Sequence, residues 1–372
     1  MRKKAVLTGA TALAALVFTF ALLEVFFSFY GKRFPFLFRH ALEPAAFDPA
    51  AARNFLEGGG FDPDLGWDAD PIARNEEKGS LYFDQSYGDS FTRGAEVGDD
   101  ATWQSLYFGI TGRRILNLGV NGYGLDQAVL KFEKYGGRYR APYAILALNY
   151  QEYRRIASYY SFHCFAGVDF GHLFRYAFKP IFLPAGSGWN LRLPPCRDAD
   201  CLSDLLLRDS TGLRAVLSEH DLCYRENLKR PLLAFPYTAN FIRALAAEIG
   251  ARSGGPEGDN YALVSAEAFA LVKHLVTRFT RRCEAAGVKP LVLLIYAPED
   301  LPDVAAGKRL DARVIAFLRE SQIPFVDSAD YIIRKAGTDA ALSAPLGHFN
   351  KKGNRLIAEA LLNSPLLSGE AP

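Results

Sequence analysis

Apolar residues along this chain fall into two periods. Ala144-Ile145-Leu146-Ala147-Leu148 is a continuous apolar run, the pattern of a strand buried on both faces. Arg114 to Leu118, Pro290 to Tyr296 and Pro324 to Asp327 read as further buried strands, and Leu81-Tyr82-Phe83 leads into a turn at Tyr87 to Thr92. Between these runs the spacing changes to that of a helix. Asp126 to Tyr135 places Ala128, Val129, Leu130 and Phe132 on one face. Helices are also predicted over Thr102 to Gly109, Tyr261 to Ala286, Ala312 to Ser321 and Lys352 to Leu362. Apolar strands alternating with helices imply an α/β fold, a three-layer sandwich with a central parallel sheet covered on both faces. Its functional loops are expected at the carboxyl ends of the strands, where Ser90, Gly122 and Asn149 all fall.

Two segments break the alternation. From about 156 to 259 aromatics, prolines and four of the five cysteines crowd together, which reads as an insertion forming a cap or rim. At the N-terminus, Arg2-Lys3-Lys4 precedes an uncharged apolar run from Ala5 to Leu23, followed by Glu24 and Val25 to Tyr30. Such a run is long enough to span a bilayer, and its basic flank keeps the N-terminus cytoplasmic. No small-x-small site follows it, so an uncleaved anchor fits better than a cleaved signal peptide. The expected organisation is an anchor at 1–31, a stalk or packing arm at 32–60, and one α/β domain at 61–372 carrying the insertion. The expected location is the inner membrane, crossed once through residues 5–30, with the catalytic domain on the periplasmic or extracytoplasmic side.

Composition is that of an ordinary globular chain: 372 residues, 49% hydrophobic and 23% charged. A net charge of +2 and the absence of nucleic-acid motifs argue against a nucleic-acid partner. Cysteines suit an exported protein: a Cys196–Cys201 bridge would staple a short loop, and Cys164–Cys223 could close a longer one. Zinc-finger spacing is lacking, and the acidic residues Asp62, Asp64, Asp68 and Asp70 lack EF-hand spacing, so they read as solvated turns. No metal or cofactor is expected. The pairs Arg113-Arg114, Arg154-Arg155 and Arg281-Arg282 read as solvated faces, although Arg154-Arg155 lies past the third loop and could meet an anionic substrate.

The chemistry is concentrated in four segments. Gly88-Asp89-Ser90-Phe91-Thr92 puts a serine in a glycine-flanked turn. Asn117 to Gly124 is glycine-rich, and Asn149-Tyr150-Gln151-Glu152 ends the third strand. Gly347-His348-Phe349-Asn350 opens the last helix. A hydroxyl needs a base within hydrogen-bond reach to act as a nucleophile at neutral pH, and histidine is the usual one. The glycines do not form a dinucleotide site, since the Gly-x-Gly-x-x-Gly spacing is missing.

This arrangement resembles the SGNH (GDSL-type) hydrolase superfamily over about residues 61–155 and 262–363. The resemblance implies that Ser90 is the nucleophile and His348 its base, with the backbone N–H groups of Ser90 and Gly122 facing the oxyanion. Asn149 would be the side-chain oxyanion donor, with Gln151 and then Tyr153 as alternatives. Asp89 would brace the turn. The family's acid shortly before the histidine is replaced by Pro345 and Leu346, so His348 must be oriented by a backbone carbonyl or a carboxylate from elsewhere, such as Glu152. The implied activity is a serine esterase or O-acyltransferase, most simply acetyl, acting on an acylated envelope carbohydrate or lipid. The aromatics Tyr159, Tyr160, Phe162, Phe165, Phe170, Phe174 and Trp189 would be a sugar-stacking wall or the insertion's own small core. The competing expectation is a non-catalytic member serving as a binding or scaffold subunit of a membrane or envelope complex.

Overall fold

The computed structural model describes residues 14–26, 60–68, 84–139, 141–149, 152, 155–160, 177–186, 188–221, 238, 266–309 and 311–364. The predicted parallel sheet is present. It has five strands: β3 (Asp84–Tyr87), β4 (Ile115–Asn117), β5 (Tyr143–Leu148), β8 (Lys289–Leu294) and β9 (Phe325–Asp327). Their spatial order is β4-β3-β5-β8-β9, and every pairing is parallel. Counted along the chain that is the 2-1-3-4-5 order of the flavodoxin-like arrangement, which places a crevice beside the first strand where the winding reverses. All six residues of β5 are buried, as an apolar run without alternation requires of a central strand.

Helices cover both faces. α2 (Trp103–Thr111), α9 (Ser328–Ala336) and α10 (Lys351–Leu362) pack on one another on one side. α3 (Leu125–Tyr135) and α8 (Ala312–Glu320) pack against the long α6 (Ala266–Ala285) on the other. The α6 face formed by Leu271, Val272, Leu275, Val276 and Phe279 is fully buried, with Phe279 edge-on to Phe132 of α3. Two short helices, α1 (Ser90–Arg93) and α7 (Leu301–Ala305), follow the carboxyl ends of β3 and β8. α9 was not anticipated from the periodicity. It starts at an Asp327 cap directly after β9, so no loop separates the strand pattern from the helix pattern.

The stretch between β5 and α6 holds structure of its own. β6 (Ile181–Ala185) and β7 (Gly188–Arg192) form an antiparallel hairpin, followed by α4 (Ala199–Leu207) and α5 (Ser210–His220). The Cys196–Cys201 bridge is formed at the start of α4, with Cα atoms 5.4 Å apart. Cys164 and Cys223 lie outside the described residues. Tyr159 and Tyr160 are 1% exposed and pack on Phe178, so these two belong to the insertion's core rather than to a sugar-stacking wall. Phe162, Phe165, Phe170 and Phe174 lie outside the described residues.

A buried ion pair ties this stretch to the main core. Lys179 Nζ meets the Asp126 carboxylate of α3 and donates to the Pro180 carbonyl at 2.9 Å. Both side chains are almost inaccessible. Burial pushes the Asp126 carboxyl up, only partly offset by Lys179. Lys179→Met should therefore strand a buried carboxylate and cost about 3–5 kcal/mol in urea unfolding, whereas adding Asp126→Leu to it should recover most of that loss.

Several sequence readings are corrected. Residues 61–68 are not simple turns: β1 (Phe61–Asp62) pairs with β2 (Gly66–Trp67). Asp62 and Asp68 are largely buried and paired with cations, Asp64 is paired but stays partly exposed, and Asp70 lies outside the described residues. Lys134 reaches Asp62 at 2.7 Å and Asp64 at 3.2 Å, Arg197 reaches Asp64 at 2.6 Å, and Lys131 reaches Asp68 at 2.5 Å. The two lysines tie the segment to α3, and Arg197 ties it to the residues before α4. Arg113 is likewise not a solvated face, since it holds Asp84 at 2.5 Å. Residues 14–26 are helical, and no helix among the described residues is long and apolar enough to cross a membrane. The rest of the expected anchor, and the 32–60 arm apart from Gly60, lie outside the described residues.

Candidate active site

The turn that carries Ser90 is built by the residues around it. Asp89 caps α1, its Oδ1 accepting the Phe91 N–H at 2.9 Å. Gly88 is glycine because space demands it: a Cβ there would sit 2.2 Å from Thr92 Oγ1 and 2.6 Å from the Ala147 carbonyl. The turn is stitched to the β4 loop by Leu118 N–H to Ser86 O (2.9 Å), Val120 N–H to Gly88 O (3.0 Å) and Asn117 Nδ2 to Arg93 O (3.0 Å). Gln104 of α2 braces it from behind, donating to Thr92 O at 2.7 Å.

His348 is delivered from the opposite end of the chain. Asn350, two residues past the histidine, caps α10 by accepting from the N–H groups of Lys352 and Gly353, which fixes the start of the helix at Lys351. Asn354 on α10 accepts the Trp103 N–H at 3.2 Å, locking α10 to α2. The outcome is that Ser90 Oγ lies 2.8 Å from His348 Nε2. The imidazole packs against Phe91, with ring centroids 4.7 Å apart.

The group that orients the histidine is Glu96. Its Oε2 lies 2.6 Å from His348 Nδ1 and also accepts the His348 backbone N–H at 3.1 Å, while Oε1 accepts the Leu346 N–H at 2.6 Å. An Nδ1–H bonded to a carboxylate leaves Nε2 bare, the tautomer able to take the serine proton. Burial opposes ionisation of Glu96. It is outweighed by the bonds from Leu346 N–H, the His348 ring and His348 N–H, so the carboxyl sits below its ordinary 4.5. Glu96 also has φ of +71°, a left-handed conformation that is uncommon for a residue with a side chain.

Glu152 does not have the orienting role expected of it. It is fully buried, and its Oε1 accepts the Asp89 N–H at 3.1 Å. Burial and the neighbouring Asp89 charge push its carboxyl well up, with Arg155 opposing. Arg155 pairs with Asp89 at 3.0 Å, and its charge only partly offsets the upward push on Glu152. Arg155 is therefore committed within the protein rather than offered to an anionic substrate, and Arg154 lies outside the described residues. A carboxyl whose folded pKa is raised binds its proton more tightly in the native state, so stability falls as pH rises above 4.5 towards the folded value. Glu152→Gln should remove that decline. In urea unfolding, wild type should lose stability relative to the variant as pH rises from 4.5 to 7.

The other expected residues are placed as follows. Gly122 is buried in the β4 loop with φ of +77°, a conformation favouring glycine. Asn149, 1% exposed, donates through Nδ2 to the Ile295 carbonyl at 3.1 Å, a bond joining the ends of β5 and β8. Gln151 and Tyr153 lie outside the described residues. Among the described residues no cluster of His, Cys, Asp or Glu is arranged to hold a metal ion.

Neither a protein-family model nor a curated protein matches the chain. Solved structures resembling it include a protein described as lipolytic, of the G-D-S-L family, from Desulfitobacterium hafniense DCB-2. That one shares 10% identity, covering 76% of this chain and 98% of that chain, with a TM-score of 0.37. A member of the lipolytic protein G-D-S-L family from Veillonella parvula DSM 2008 shares 11%, covering 77% and 99%, with a TM-score of 0.38. Likeness at this level assigns no role to any residue here, and the functional reading rests on the side chains themselves.

Proposed function

We propose that this protein is a serine ester hydrolase of SGNH type working through an acyl-enzyme. The observation that carries the reading is the continuous line Ser90 Oγ, His348 Nε2, His348 Nδ1, Glu96 Oε2, with both links at hydrogen-bond distance (2.8 and 2.6 Å). Ser90 Oγ attacks the ester carbonyl carbon while its proton passes to Nε2. The tetrahedral oxyanion is received by the backbone N–H groups of Ser90 and Gly122. The carbonyl re-forms, the C–O bond to the leaving alcohol breaks, and that oxygen takes the proton from Nε2. Water then attacks the acyl-enzyme, giving its proton to Nε2, and Ser90 leaves with that proton restored.

If a sugar hydroxyl replaces water in the second half, the same machinery is an O-acyltransferase. The substrate proposed is an acylated (most simply acetylated) envelope carbohydrate or lipid, met on the outer side of the inner membrane with residues 5–30 as anchor. This part follows from the basic-apolar N-terminus and the motif resemblance, not from any side chain at the site. The scaffold alternative drew on the absence of an acid beside the histidine and on the altered third loop, and Glu96 removes the first of these supports. The test is hydrolysis of p-nitrophenyl acetate by the detergent-solubilised full chain, with fluorophosphonate labelling located by mass spectrometry. Modification at Ser90 with turnover supports the enzyme. Neither labelling nor turnover would return the protein to the scaffold reading.

A further inference from the structure

Buried donors hold the backbone on both sides of Gly122. On one side Trp67, in β2 and 3% exposed, donates its indole Nε1–H to the Asn121 carbonyl at 3.0 Å. That carbonyl and the Gly122 N–H belong to the same trans peptide plane, so they point in opposite directions. Fixing one therefore aims the other. The Tyr123 ring stands edge-on to Trp67, at 5.7 Å between centroids, and its hydroxyl donates to the Trp67 carbonyl at 2.8 Å, so the tryptophan is itself held.

On the other side Arg155 Nη1 donates to the Tyr123 carbonyl at 2.8 Å, one residue past Gly122. The same nitrogen pairs with Asp89 Oδ2 at 3.0 Å, one residue before Ser90. Arg155 is 7% exposed, and its backbone lies close against Gly124, where a Cβ would come within 3.2 Å of Arg155 Cβ. One guanidinium thus joins the loops that follow β3, β4 and β5.

We propose that Trp67 and Arg155 are positioning residues that together set the direction of the Gly122 N–H and its separation from Ser90. Neither touches the reacting atoms. Their effect falls on transition-state stabilisation, because the oxyanion forms only after attack and a donor displaced from it binds substrate no less well. The inference rests on the hydrolase reading above.

The test compares Trp67→Phe, Arg155→Met and Arg155→Lys with wild type in the full chain, using p-nitrophenyl acetate and a methylboronic acid inhibitor. Trp67→Phe deletes the donor and keeps an aromatic ring. Expected is a fall in kcat of about tenfold or more in Trp67→Phe and Arg155→Met with KM within about twofold, and a parallel loss of boronate affinity. Arg155→Lys, which keeps the charge but not the fork, should recover part of the loss. Wild-type kcat per Ser90 labelled in both Trp67→Phe and Arg155→Met, even with a lowered Tm, would assign these residues to stability alone and overturn the proposal. A wild type that neither turns over nor labels would instead sink the hydrolase reading, and the clamp with it.

Discussion

Ser90→Ala should lower kcat/KM on p-nitrophenyl acetate by on the order of 10⁴-fold or more, and abolish fluorophosphonate labelling. Among the described residues only the Ser90 hydroxyl bonds His348 Nε2, so the covalent route is lost rather than slowed. The residual rate over water would come from the backbone donors and from binding. The variant should still fold. The turn is held by the Asp89 cap, by Val120 N–H to Gly88 O and by Arg93 N–H to Asp89 O, none of which uses the serine hydroxyl. Its Tm should therefore stay close to wild type, the lost bond to His348 being worth about 1 kcal/mol. His348→Ala should cost a similar factor, and combining the two should add little, since the pair acts as a unit. Hydrolysis at an equal rate by Ser90→Ala and wild type would rule out the acyl-enzyme.

The sheet was legible because its strands are apolar throughout. Ala144 to Leu148 has no other stable place than the centre of a parallel sheet, and α6 shows its buried stripe in its spacing. Ser90 and His348 were legible from the segments Gly88 to Thr92 and Gly347 to Asn350 and their resemblance to the SGNH pattern, not from the turn and the cap, which by themselves read as ordinary local structure. Glu96 was missed. In sequence it is one carboxylate between Ala95 and Val97, in a turn bounded by Gly94 and Gly98, and its pairing with His348 arises only when α10 docks on α2. The signal that could have found it is its place in that turn just past the nucleophile. Glu152 was favoured because it sits by the third loop, but chain position says nothing of depth, and it is buried beneath the turn rather than beside the histidine. The Lys131–Asp68 and Lys134–Asp62 pairs were invisible for a similar reason: charged side chains on a helix read as solvent-facing until a second segment is laid over them.

Glu96→Gln should reduce kcat/KM by about 10³–10⁴-fold with little change in KM. An amide in place of the carboxylate can still meet Nδ1, but a neutral oxygen no longer stabilises the imidazolium formed when Ser90 gives up its proton. If the amide turns its NH₂ towards the ring, it also favours the tautomer with Nε2 protonated, which cannot act as base. Glu96→Ala should cost at least as much, because it also leaves the Leu346 and His348 N–H groups without their acceptor. The stability consequence has a definite sign. Glu96 is a carboxylate whose folded pKa lies below its ordinary 4.5, so its contribution is fully present above 4.5 and is lost as pH falls through the lower folded value. Urea unfolding of wild type and Glu96→Gln should therefore differ most near pH 7 and converge on acidification below 4.5. A Glu96→Gln enzyme with wild-type kcat and an unchanged pH profile would show that the carboxylate merely ties down the His348 loop, leaving the serine and histidine to work as a pair.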